Sequence, residues 1–125
     1  MRTPTVLRLL AASVLSTLAA CGGGASEDTL LEVGEQWYQT SCAACHGADL
    51  RGTAAGPSQL SIVYEPAHHP DESFRRAITE GVPAHHWDFG DMAPIPGLTD
   101  DQVTAIIAYV RSFQEREGFE PYPPE

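Results

Sequence analysis

Three stretches of this chain carry helical periodicity, and the two segments between them, 47–70 and 82–98, carry none. The first holds Gly47, Gly52, Gly56, Pro57, Pro66 and Pro70; the second is rich in Pro, Gly and His. No segment alternates as a strand would, and no internal repeat is visible. Loops this long are uncommon inside a compact domain unless they are functional or packed on something. The hydrophobic content of 42% calls for a folded core. Three helices alone bury too little to hold such loops, so something apolar should fill the middle.

The helices themselves are legible. Residues 27–42 read as the first, capped by Ser26 or Asp28, with acids in the opening turn. Leu30, Val33, Gly34, Trp37 and Tyr38 share its expected apolar face. Gly34 costs such a helix about 1 kcal/mol relative to Ala, which is best tolerated where another helix approaches closely. Residues 72–80 form a second helix with Phe74, Ala77 and Ile78 on one face, stopped by Gly81. Residues 100–116 form the third. Thr99 and Gln102 make a capping box there, Leu98 and Val103 a hydrophobic staple. Val103, Ile106, Ile107 and Val110 are its stripe.

The missing apolar body is indicated by Cys42-Ala43-Ala44-Cys45-His46. Two thiols three residues apart at a helix end can reach two vinyl groups on one porphyrin edge. The imidazole that follows projects under the iron. This is the attachment pattern of haem c, here one group held covalently through Cys42 and Cys45 with His46 on the iron. Two other uses of the thiols stand beside it. A redox dithiol expects a βαβ context, which is not visible. A zinc site could join Cys42 and Cys45 to two of His68, His69, His85 and His86, but zinc does not require His directly after the second Cys.

The iron's sixth position has one main candidate. Apart from the initiator, Met92 is the sole methionine, in the Pro-rich loop Gly90 to Gly97. Its thioether is a soft ligand, and Met/His ligation raises the potential. His85 and His86 lie seven and six residues earlier and could compete. Trp87, Tyr64 and Arg51 each carry a donor for haem propionates.

The N-terminus reads as an export signal over residues 1–20. Arg2 and Arg8 precede the apolar run Leu9–Ala20, which as a helix would span about 18 Å, too short for a bilayer core of about 30 Å. Leu18-Ala19-Ala20-Cys21 resembles a bacterial lipobox, in which cleavage leaves a lipid-bearing Cys. Cys21 as lipid anchor also explains the odd cysteine count. Residues 21–28, opening Gly22-Gly23-Gly24, form a flexible tether. The chain has 7 basic residues, all Arg, and 17 acidic ones. Cleavage removes Arg2 and Arg8 and no acid, which lowers the net charge from −10 to −12. Such a chain is a poor nucleic-acid binder. Its field suits redox protein partners with basic docking patches.

With these motifs placed, residues 30–114 resemble the class I, mitochondrial-type cytochromes c, and small bacterial monohaem members in particular. The resemblance implies an all-α cytochrome c fold. Three to five helices would surround the haem, and the N- and C-terminal helices would cross. In this family a Gly and an aromatic residue before the motif pack on an aliphatic and a Tyr of the last helix. Gly34, Tyr38, Ile106 and Tyr109 match these positions. A Gly-Pro pair often sets a carbonyl on the proximal His, and Gly56-Pro57 resembles it. Many relatives have Pro directly after the axial Met, whereas here Ala93 intervenes before Pro94.

The resulting organisation is a signal at 1–20, a tether at 21–28, a cytochrome c domain at 29–117 and a Pro-rich tail at 118–125, read as a frayed end. The implied function is electron transfer between membrane-associated or periplasmic partners, not catalysis. The chain would act as a monomer, or as a subunit of a larger oxidoreductase. It would be exported and anchored in the cell envelope, facing the periplasm or cell exterior. The alternative is a haem domain with an exchangeable sixth position, acting as a gas sensor or peroxidase.

Overall fold

The structure is a computed structural model that describes residues 26–123. The export signal, Cys21 and Gly22 to Ala25 of the tether lie outside the described residues. Among the described residues four helices follow in order: α1 (Glu27–Ser41), α2 (Ala43–His46), α3 (Asp71–Glu80) and α4 (Asp100–Glu117), and one 3-10 turn covers Ile62–Tyr64. Among the described residues there is no strand, only three isolated bridges.

The caps explain where the helices begin. Ser26 accepts from the Thr29 amide and opens α1. Thr99 accepts from the Gln102 amide at 3.3 Å while Gln102 accepts from the Thr99 amide at 2.8 Å, completing the capping box. Gly81 and Gly118, at φ of 81° and 79°, end α3 and α4 in a conformation that side chains resist. The sequence did not reveal α2, whose four residues are too few for periodicity to register.

α1 crosses α4 at Gly34. A Cβ built there would lie 2.1 Å from the Ala105 carbonyl oxygen and 2.8 Å from Tyr109 Cβ. Tyr38 packs on Tyr109 with ring centroids 5.5 Å apart. The expected α1 face needs one correction. Val33 is 37% exposed, because the contact with α4 is narrow and centres on Gly34 and Tyr38. Ile106 is buried one residue beyond Ala105 and lines a central cavity. The core gathers Tyr38, Leu50, Leu60, Val103, Ile106 and Val110.

The loops are held by specific bonds. Arg111 of α4 donates to the Tyr64 carbonyl at 2.7 Å, the His69 carbonyl at 2.5 Å and Asp71 Oδ1 at 2.7 Å. It thereby pins the 62–70 loop and the start of α3. The tail is not frayed as far as Tyr122. The Glu120 amide donates to the Leu60 carbonyl, the Ile62 amide donates to the Glu120 carbonyl, and the Tyr122 hydroxyl donates to the His86 carbonyl. Arg51 is held by Glu117 and Glu120 and lines a shallow pocket that adjoins the cavity at Gly56, Pro57 and Trp87, without lining the cavity itself.

Candidate functional site

Where α1 gives way to α2, the chain delivers Cys42, Cys45 and His46 to one wall of a cavity of about 450 Å³. Both thiols are free, Cys42 partly buried and Cys45 exposed. Burial, and then the neighbouring Cys45, pushes the Cys42 thiol up to about 11. The opposite parts of the wall come from α3, α4 and the 82–95 loop, through Phe74, Ile78, Val82, Ile95, Ile106 and Val110. An apolar cleft of this size, with few polar groups, is the ordinary form of a cofactor site.

His46 is fixed by its surroundings. Its Nδ1 donates to the Pro57 carbonyl at 3.0 Å. That bond leaves Nε2 as the free nitrogen of a cavity-lining ring. Burial lowers its basicity more than the Pro57 bond raises it, so the ring is held neutral with a lone pair available. The 47–59 loop is locked against the motif. Thr53 donates to the Cys45 carbonyl at 2.7 Å, and the Gly52 amide donates to the His46 carbonyl at 2.8 Å. Gly56 passes so close that a Cβ would lie 2.9 Å from the Cys45 carbonyl oxygen.

Met92 lines the same cavity. Its backbone exchanges two hydrogen bonds with Val82, at 2.8 and 2.9 Å, closing the 82–92 loop at its base. Gly81 is needed next to this bridge, since a Cβ there would meet the Met92 carbonyl oxygen at 2.5 Å. Tyr64 and Trp87 also line the cavity and stack with centroids 5.4 Å apart. Burial pushes the Tyr64 hydroxyl up to about 12, so it stays a donor at neutral pH. His85 and His86 lie on the cavity wall, but they cluster with His68 and His69.

Gln59 was missed by sequence reasoning. It lines the cavity and is buried, and its Oε1 has no hydrogen-bond partner. A buried amide oxygen without a partner costs free energy unless a donor completes it. No periodic or spacing signal marks a lone Gln in a loop.

These features fit haem c. The apolar walls suit the macrocycle, both thiols line the cavity, His46 offers a free nitrogen and Met92 a sulfur.

Comparisons with known proteins agree. Residues 31–114 match the family model described as Cytochrome c. The chain is 31% identical over 101 residues to cytochrome c-551 of Bacillus subtilis, covering 73% of this chain and 79% of that protein. It is 29% identical over 109 residues to the cytochrome c subunit of the cytochrome bc1 complex of Mycobacterium bovis. That alignment covers 86% of this chain but 37% of the subunit. Among solved structures, cytochrome CL from Methylophaga aminisulfidivorans superposes with a TM-score of 0.55 at 29% identity, over 70% of this chain and 55% of that one.

Proposed function

The chain belongs to the cytochrome c family, and on that basis we propose that it is a single-haem electron carrier of the class I type. Cys42 and Cys45 are the proposed attachment thiols, His46 and Met92 the axial groups. When bound, haem supplies an iron that holds or releases one electron as it alternates between Fe(II) and Fe(III). The observation that carries this reading is the convergence of both thiols, His46 and Met92 on one apolar cavity.

The chain's own residues supply orientation and burial. Pro57 fixes the His46 ring through Nδ1, and the Val82 bridge restrains Met92. Because His46 and Met92 both sit on anchored segments, they would hold an iron's surroundings alike in both oxidation states and keep reorganisation small. Phe74, Ile78, Ile106 and Val110 exclude water and so favour the less charged, reduced form. Tyr64 and Trp87, whose hydroxyl and indole N–H can donate, are proposed as donors to the propionates.

Its surroundings follow from charge and targeting. The acidic surface suits redox partners with basic docking patches, and its effect is chiefly on encounter rate. Among the described residues no helix is long and apolar enough to cross a membrane. A lipid on Cys21 is the proposed anchor, keeping the domain in the cell envelope near membrane partners and raising its effective concentration. The likeness to a bc1 complex subunit supports a respiratory partner.

The test uses the mature protein from cells able to attach haem. The reduced protein should show a low-spin spectrum that carbon monoxide leaves unchanged, and should pass its electron to a soluble acceptor. A high-spin spectrum with rapid carbon monoxide binding would contradict electron transfer as the function and favour a ligand-binding haem domain.

A further inference from the structure

Four histidines lie together at the rim of the cavity, two on the 62–70 loop and two on the 82–92 loop. The rings of His68 and His86 have centroids 5.3 Å apart, those of His69 and His86 5.4 Å, and those of His68 and His69 4.7 Å. One ligand atom from each of His68, His69 and His86 falls within 4.8 Å of the others. We propose that these three residues bind a divalent first-row transition ion of the zinc type, separate from the haem iron and from the two thiols.

The geometry favours an ion over accidental crowding. His68 Nε2 and His86 Nε2 are 3.4 Å apart. Two imidazole nitrogens bound to one tetrahedral zinc, each at about 2.0–2.1 Å, are separated by about 3.3–3.4 Å. The pair already stands at the edge length of the tetrahedron. The third ring is oriented as metal-bound histidines usually are. His69 Nδ1 donates to the Val63 carbonyl at 2.6 Å, which fixes the ring and leaves Nε2 free to ligate. Burial and the neighbouring histidines hold His69 and His86 below the usual histidine range, so both rings offer lone pairs at neutral pH. Three imidazoles and no thiolate suit zinc or copper rather than magnesium or calcium. Water would complete the four-coordinate set.

The consequence is mechanical. The 62–70 loop and the 82–92 loop come from opposite sides of α3 in the chain, and the second also carries Met92. A shared ion would tie them across the cavity rim beside Tyr64 and Trp87. The site would therefore brace the loop on which Met92 depends, and binding of the ion to the native state alone would raise thermal stability.

The experiment is calorimetric titration of zinc chloride into the untagged mature holo protein near pH 7.5, followed by X-ray absorption at the zinc edge. One zinc per chain is expected, with a nitrogen-dominated shell at about 2.0–2.1 Å. His68→Gln and His86→Gln should each weaken binding by about tenfold or more, while the visible haem spectrum shows that each variant is folded. The absence of saturable zinc binding would overturn the proposal. So would undiminished binding by the double variant H68Q/H86Q, or sulfur in the zinc shell. Each of these outcomes leaves the haem reading intact, because the visible spectrum of the same sample reports haem attachment independently.

Discussion

Gly34 and Ala105 meet at a distance that leaves no room for a side chain. A Cβ on Gly34 would lie 2.1 Å from the Ala105 carbonyl oxygen, an atom of the α4 backbone that cannot swing aside. Gly34→Ala should therefore destabilise the protein by about 2–3 kcal/mol, although Ala is the better helix former by about 1 kcal/mol. Urea unfolding of the holo protein checks this. A gain in stability would mean that α1 and α4 do not cross here.

Tyr38 is fully buried against that crossing, and its hydroxyl donates to the Gly47 carbonyl at 3.0 Å. Burial, with lesser contributions from Cys42, Tyr109 and Asp49, holds the phenol well above the usual tyrosine range. The unfolded chain releases this proton near pH 10, while the native state keeps it. Native stability should then fall as pH rises above about 10, because the unfolded state binds fewer protons. Tyr38→Phe should cost about 1 kcal/mol at pH 7 through the lost hydrogen bond. It should also flatten the alkaline decline, as measured by denaturant midpoints between pH 8 and 11.

Arg111 is 14% exposed at its side chain and reaches the Tyr64 and His69 carbonyls, Asp71 and Gln114, while stacking over Phe74. Asp71 is 68% exposed. The two partners should therefore respond unequally. Arg111→Met leaves inward carbonyls without donors and should cost about 2–3 kcal/mol. Asp71→Asn touches only the solvated end of the pair and should cost less than about 1 kcal/mol. Equal losses in the two variants would place the energy in the ion pair instead of the carbonyl bonds.

Where local chemistry decides an element, the sequence could be read. Thr99 with Gln102 announces the start of α4, Gly81 and Gly118 announce two ends, and a glycine inside α1 points to a close helix contact. The five residues from Cys42 to His46 are informative because spacing and residue type both matter to the chemistry. What escaped detection depends on contacts distant in sequence. Arg111 acts on carbonyls 42 and 47 residues earlier, and no local pattern marks that reach. Gln59 faces the cavity from an aperiodic loop. The tail looked free because Pro-rich ends usually are, yet the Glu120 backbone pairs with Leu60 and Ile62. The four histidines are two dipeptides in sequence, and only the fold brings them together.

Cys21 lies outside the described residues, and its proposed lipid is tested by fractionation. Expressed in a bacterial host, the native chain should sediment with membranes and release only with detergent. Cys21→Ala should yield a soluble exported protein whose haem spectrum is unchanged, since the anchor and the haem-binding residues are separate. Membrane association that survives this substitution would assign the anchoring to another segment.

The most direct measurement is the near-infrared absorption of the oxidised mature protein, recorded for the native chain and for Met92→Ala. Native protein should show the weak sulfur-to-iron(III) charge-transfer band, and the variant should lose it while keeping covalent haem through Cys42 and Cys45. A native spectrum without that band, unaltered by Met92→Ala, would contradict Met92 as the axial group and return His85 and His86 to consideration.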